Sequence, residues 1–100
     1  MLAIINQVFE IVQKLGDKNE TVADRNLKRI FYELEEMGYH VNNPLNRRYQ
    51  ETDTDVEATL SGSLQGELLV TRVLKPVIYQ KSANGELELL QKGIVIVEGK

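Results

Sequence analysis

Apolar side chains recur at helical spacing through the first forty residues. Between Leu2 and Leu15 they return every three or four positions, which predicts an α-helix that ends at Gly16 with a left-handed residue. The apolar stripe is broader than one neighbouring element would cover. We therefore expect this helix to contact more than its own domain.

A second helix is predicted from about Val22 to Gly38. Thr21 and Asp24 resemble a helix cap, in which the hydroxyl accepts a hydrogen bond from a free N–H and the acid favours the positive helix end. The apolar residues that share its inner face are Leu27, Ile30, Phe31, Leu34 and Met37. Two antiparallel helices joined by a short polar loop form a helical hairpin, so residues 1–41 are predicted as one unit.

The pattern changes after Asn42-Asn43-Pro44, where β-branched residues and glycines replace helix formers. Residues 54–60 alternate between apolar and polar, which predicts a half-buried strand, and further strands are predicted over 68–74, 77–81, 86–91 and 94–97. Asn84-Gly85 predicts a hairpin turn. The chain is therefore predicted to have an α+β fold, an N-terminal antiparallel helical hairpin followed by a mainly antiparallel β domain of about five strands over residues 42–100.

Composition narrows the functional class. The chain has 100 residues, a net charge of −3 and no cysteine, so disulfides and thiolate chemistry are excluded. The acidic balance argues against nucleic-acid binding, and Arg47-Arg48 is too short to be a basic patch. No apolar run is long enough to span a membrane, and the N-terminus lacks the features of an export signal. These features predict a cytoplasmic protein with no nucleic-acid or membrane partner.

No residue pattern points to catalysis or to a cofactor. His40 is the sole histidine and has no cysteine or second histidine with which to bind a metal. The acidic series Glu51, Asp53, Asp55 and Glu57 is interpreted as a solvated strand face, because residues two apart on a strand point the same way without converging. We predict a non-enzymatic protein with no catalytic residue and no metal site.

The order of parts resembles the C-terminal portion of GrpE, the nucleotide exchange factor of DnaK-type heat-shock chaperones. The helix end from Asn26 through Leu34 to Val41 is similar to the family's leucine-rich helix and its Gly-Val turn. Glu57-Ala58 resembles the His-Glu-Ala element at the entry to the family's β domain, with Val56 in place of the histidine. The Asn84-Gly85 hairpin and the final strand 94–97 resemble the family's late hairpin and closing strand.

The resemblance implies a homodimer that binds a DnaK-type chaperone and promotes ADP release. The broad stripe of the first helix independently favours a helix-mediated dimer. The residues expected in the dimer interface are Ile4, Ile5, Val8, Phe9, Ile11, Val12, Leu27, Ile30 and Leu34. The residues expected to bind the partner are Tyr79, Asn84, Gly85 and Leu87.

Two other functions remain open from the sequence. The helical hairpin could dock on a different protein, which would make the chain a structural or adaptor subunit. Alternatively, the acidic strand from Glu51 to Glu57 could bind a small ligand or a metal ion.

Overall fold

The computed structural model describes residues 1–99, which form two helices and six strands. In chain order they are α1 (Leu2–Asp17), α2 (Asp24–Glu36), β1 (Tyr39–Asn42), β2 (Val56–Leu60), β3 (Leu68–Lys75), β4 (Val77–Lys81), β5 (Leu87–Gln91) and β6 (Gly93–Gly99). The predicted α+β class is confirmed, with both helices preceding the strands.

The strands form two three-stranded sheets. Sheet A has the order β1-β4-β5 and is antiparallel throughout. Sheet B has the order β2-β6-β3, in which β2 and β6 are parallel and β3 and β6 are antiparallel. The predicted closing strand is therefore central, as its apolar character on both faces indicates. The sequence pattern missed β1, a strand of 4 residues that pairs with β4.

The helix ends differ from the prediction. α1 continues through Gly16, and the residue with a left-handed backbone is Asn19, whose φ is 55°. Asparagine tolerates this conformation because its short polar side chain can hydrogen-bond locally. α2 begins at Asp24, after an Ala23 cap that makes no side-chain hydrogen bond, so the predicted Thr21 cap is wrong. The Thr21 backbone carbonyl accepts the Asp24 N–H instead, at 3.1 Å.

The hairpin between β4 and β5 is confirmed, although its turn is longer than the sequence suggested. Gly85 has a φ of 87°, whereas Asn84 does not have a positive φ. The Gly85 N–H donates to the Ser82 carbonyl at 3.0 Å. A turn followed by a left-handed glycine is a common way to close a hairpin loop of more than two residues.

Two clusters of buried side chains hold the fold together. The large cluster consists of Phe9, Val56, Val70, Val73, Val77, Val95 and Val97, and the small cluster consists of Ile5, Leu34 and Ile78. α1 contributes Phe9 to the first and Ile5 to the second, so it packs on strands of both sheets. Residues 1–41, predicted as one unit, therefore share both clusters with the strands.

The molecule is flat. Its principal extents are 41 × 37 × 18 Å and its radius of gyration is 14.7 Å. A domain of 100 residues packed into a compact shape has a radius of gyration of about 13 Å. A thickness of two layers leaves a large share of the helix and strand surfaces facing outward.

Candidate functional site

The helical residues predicted for a dimer interface divide into an inner and an outer set. Ile5, Phe9 and Leu34 are buried within the chain and cannot contact a partner in this fold, so their assignment to an interface is corrected. Their apolar spacing predicts that they are buried, but it does not show whether they are buried by the rest of the chain or by a second copy.

The outer set forms a stripe along α1. Ile4 is 61% exposed and Ile11 is 48% exposed, with the half-buried Val8 between them. Their spacing of four and then three residues places all three on one helix face. We call Ile4, Val8 and Ile11 the α1 stripe. Of the other predicted residues, Ile30 is exposed on α2, and Val12 and Leu27 are half-buried.

The predicted partner-binding residues come together on the β4–β5 hairpin. Lys81 lies opposite Leu87 and Tyr79 lies opposite Leu89, so these side chains share one face of sheet A. Leu87 is 56% exposed and Leu89 is 37% exposed. We call Tyr79, Leu87 and Leu89, with the turn residues Asn84 and Gly85, the hairpin surface.

Sequence reasoning missed Leu89 as a member of the hairpin surface. The signal was present, because residues two apart on a strand point to the same face, and Leu89 follows Leu87 at that spacing. Tyr79 is half-buried, packs against the large cluster, and so connects the hairpin surface to the core.

Arg47 organises the acidic residues that precede β2. Its guanidinium donates two hydrogen bonds to the Asp55 carboxylate, at 2.8 and 2.9 Å, and lies 3.7 Å from Asp53. The predicted solvated strand face is wrong for both aspartates, which are half-buried and lie before the first residue of β2. Sequence reasoning missed Arg47 because its partners are identified only by the folded loop.

Charges in this cluster set its protonation states. The Arg47 hydrogen bonds lower the pKa of the Asp55 carboxyl, although desolvation opposes the shift. Burial, and then the negative charge of Asp55, raise the pKa of the Tyr79 hydroxyl, whose ordinary value already keeps it neutral at physiological pH. The Arg47–Asp55 pair links two parts of the loop between β1 and β2. The Val70 N–H donates to the Arg47 carbonyl and so holds this loop against β3.

We expect Asp55→Asn to lower the free energy of unfolding by about 1–2 kcal/mol at pH 7, because a charge-assisted bidentate pair is replaced by weaker bonds. Since folding lowers the pKa of Asp55, the stability it provides is present above the unfolded pKa and is lost as the pH falls through the folded value. Urea unfolding at pH 7 and pH 3 should therefore show a smaller gap between wild type and variant at pH 3.

The matched control for Asp55→Asn is Glu57→Gln, which changes an exposed carboxylate two residues further along the chain. It should shift stability by less than about 0.5 kcal/mol at either pH. A gap between wild type and Asp55→Asn that has the same size at both pH values would contradict the role given to the Asp55 charge.

The sole histidine lies in β1, opposite Tyr79. Its Nδ1 is 3.7 Å from an oxygen of Glu35. His40, Lys28 and Tyr32 line an open cleft of about 440 Å³ between α2 and β1. Within residues 1–99, no three side chains of the metal-ligating types His, Cys, Asp and Glu are close enough together to hold an ion.

The α1 stripe and the hairpin surface are thus the two apolar surfaces that contain the predicted interaction residues. No helix in the described range combines the length and apolar character required to cross a membrane. No protein-family model, no curated protein and no solved structure matches the chain.

Proposed function

We propose that this chain is a non-enzymatic, cytoplasmic protein-interaction module that forms a homodimer through the α1 stripe and binds a partner protein through the hairpin surface. Its accessible surface supports the proposal. The chain exposes 6985 Å². A folded monomer of 11.4 kDa is expected to expose about 5,800 Å².

The difference, about 1,200 Å² on this scaling, is comparable to the area that interfaces cover. A standard protein–protein interface buries about 800 Å² on each partner. Apolar side chains scattered singly over a surface need no explanation, but grouped ones mark interaction sites. The α1 stripe groups such side chains on one helix, and the hairpin surface groups them on one pair of strands.

A second copy of the chain is the proposed occupant of the α1 stripe. The stripe runs Ile4, Val8, Ile11, with an isoleucine at either end and no charged member. An antiparallel helix from a second copy would set Ile4 against the partner's Ile11, so the stripe is close to self-complementary. Symmetric pairs of this kind are the commonest form of homodimer.

A DnaK-type chaperone is the proposed partner of the hairpin surface. The resemblance to GrpE supplies this identity, and the observation in its favour is that Tyr79, Asn84, Gly85 and Leu87 lie together on one exposed hairpin. In the proposed mechanism, the hairpin surface wedges open the nucleotide cleft of the chaperone so that ADP leaves. No covalent chemistry is required of this chain.

The experiment is release of fluorescently labelled ADP from a DnaK-type chaperone, with and without this protein. We expect the wild type to accelerate release, and Leu87→Ser to weaken the effect tenfold or more by removing an exposed anchor. Leu60→Ser is the matched control, since Leu60 is 45% exposed on β2 of the other sheet. Equal losses from both variants would contradict binding through the hairpin surface. If the wild type does not accelerate ADP release, the chaperone is removed as the partner.

The two alternative functions have weaker support in the structure. An adaptor role would place a different protein on the α1 stripe, and the apolar character of the stripe does not itself distinguish that protein from a second copy. A metal site at the acidic residues is disfavoured because Asp55 is engaged by Arg47 through two hydrogen bonds.

A further inference from the structure

β5 is an edge strand with one side uncovered. β4 is its only strand neighbour in the described part of the chain. The outer edge of β3, in contrast, is covered by residues 46–49, where the Tyr49 N–H donates to the Leu68 carbonyl at 2.7 Å and the Val70 N–H donates to the Arg47 carbonyl at 2.9 Å. The uncovered side of β5 is therefore open to another strand.

The backbone groups on that side belong to Leu87 and Leu89. The Ser82 N–H donates to the Glu86 carbonyl at 2.7 Å, which directs the backbone of Glu86 toward β4. Backbone groups in an antiparallel pair point alternately toward and away from the neighbouring strand. Glu88 therefore faces β4, and the N–H and C=O groups of Leu87 and Leu89 face the open side.

The side chains of this strand alternate in chemistry as well as in direction. Leu87 and Leu89 project from one face of the sheet, and Glu86 and Glu88 project from the other. Both glutamates are exposed, and neither forms an ion pair within residues 1–99. β5 contains no lysine and no proline, the residues that commonly protect edge strands from pairing.

We infer that the open edge of β5 binds an extended segment of the partner protein in which apolar and basic residues alternate. The segment adds a fourth strand to sheet A, with its apolar side chains beside Leu87 and Leu89 and its basic side chains beside Glu86 and Glu88. Main-chain hydrogen bonds supply affinity in this mode of recognition, and the alternating side chains supply specificity.

Charge argues against a second copy at this edge. Antiparallel pairing of two β5 strands centred on Glu88 would place the two Glu88 carboxylates opposite each other, and like charges at that position destabilise a sheet. A basic segment from a different protein would instead place a positive charge beside the Glu88 carboxylate, and opposite charges at that position stabilise a sheet. The inference rests on the proposed function, because it describes how the hairpin surface recognises its partner.

The experiment uses a fluorescent, end-blocked eight-residue peptide of alternating valine and lysine, titrated into the full chain. Two N-methylated versions carry methyl groups on alternate amides, one on each edge of the extended peptide. We expect the parent peptide to bind, one methylated version to lose affinity tenfold or more, and the other to keep it, since only one edge forms hydrogen bonds with β5. Hydrogen exchange at the Leu87 and Leu89 amides should slow on binding.

Charge reversal gives the matched pair of protein variants. Glu88→Lys should weaken peptide binding tenfold or more, whereas Glu57→Lys, on an exposed residue of β2, should leave it unchanged. Absence of binding by the parent peptide, or equal binding by both methylated versions, overturns the inference. If the peptide fails while Leu87→Ser still impairs ADP release, the proposed function stands and only the edge-strand mode falls.

Discussion

Replacing Phe9 with alanine is expected to lower the free energy of unfolding by about 3–5 kcal/mol. Phe9 is 4% exposed and is the residue that α1 contributes to the large cluster, where the other members are valines from the strands. Truncation removes apolar contact area and leaves a cavity that valines, with few rotamers, fill poorly. Small domains have total stabilities of about 5–15 kcal/mol, so a large part of the fold's stability would be lost.

Urea unfolding followed by circular dichroism measures the Phe9→Ala effect. Ile4→Ala provides the control on the same helix, because Ile4 is 61% exposed. In the monomeric chain that substitution should cost less than about 0.5 kcal/mol, so both variants are compared at concentrations below dimer formation. Similar losses from the two substitutions would show that α1 does not share the core of the sheets.

Substituting Ile11 with aspartate is expected to convert the proposed homodimer into a monomer. An ionised carboxylate in an apolar seam must be desolvated without a partner, so we expect the dissociation constant to rise at least about 100-fold, equivalent to about 2.8 kcal/mol. Because Ile11 is 48% exposed in the single chain, the variant should keep its fold. Light scattering should give twice 11.4 kDa for the wild type and 11.4 kDa for the variant.

Val22→Asp is the control for the dimer experiment, since Val22 is 88% exposed and lies in the turn before α2. It should leave the mass unchanged. A wild type that remains monomeric at high concentration would exclude the second copy from the α1 stripe and favour the adaptor function. A mass that falls equally in both variants would place the dimer contact elsewhere.

Local periodicity was sufficient to predict both helices and most of the strands. The hairpin of β4 and β5 was also predictable, because Asn84-Gly85 is a strong local turn signal between two apolar runs. Local sequence signals could not predict which strand pairs with which. The parallel pairing of β2 with β6 joins residues far apart in the chain, and β1 has too few residues for an alternating pattern to be recognised.

The candidate interaction residues also divide into those that the local pattern predicts and those that only the folded structure identifies. Ile4 and Ile5 both belong to the apolar pattern that predicts α1. Only the packing of the folded chain shows that Ile5 lies in the core and Ile4 on the surface. The role of Arg47 depends on a loop that returns Asp55 to it across eight residues, and charge counting along the chain gives no sign of that contact. The residues of the hairpin surface were easier to predict as a group, because strands that are adjacent in sequence pair locally and bring them together.

The position of β6 in sheet B has a consequence for how the chain folds. β6 follows β2 and β3 in the sequence, yet it lies between them, so neither neighbour has a strand to pair with in this sheet until β6 has been synthesised. Contacts between distant segments slow folding, because the chain must lose conformational entropy before it gains the pairing. During translation, the apolar faces of β2 and β3 should therefore remain exposed, and this period carries the greatest risk of aggregation.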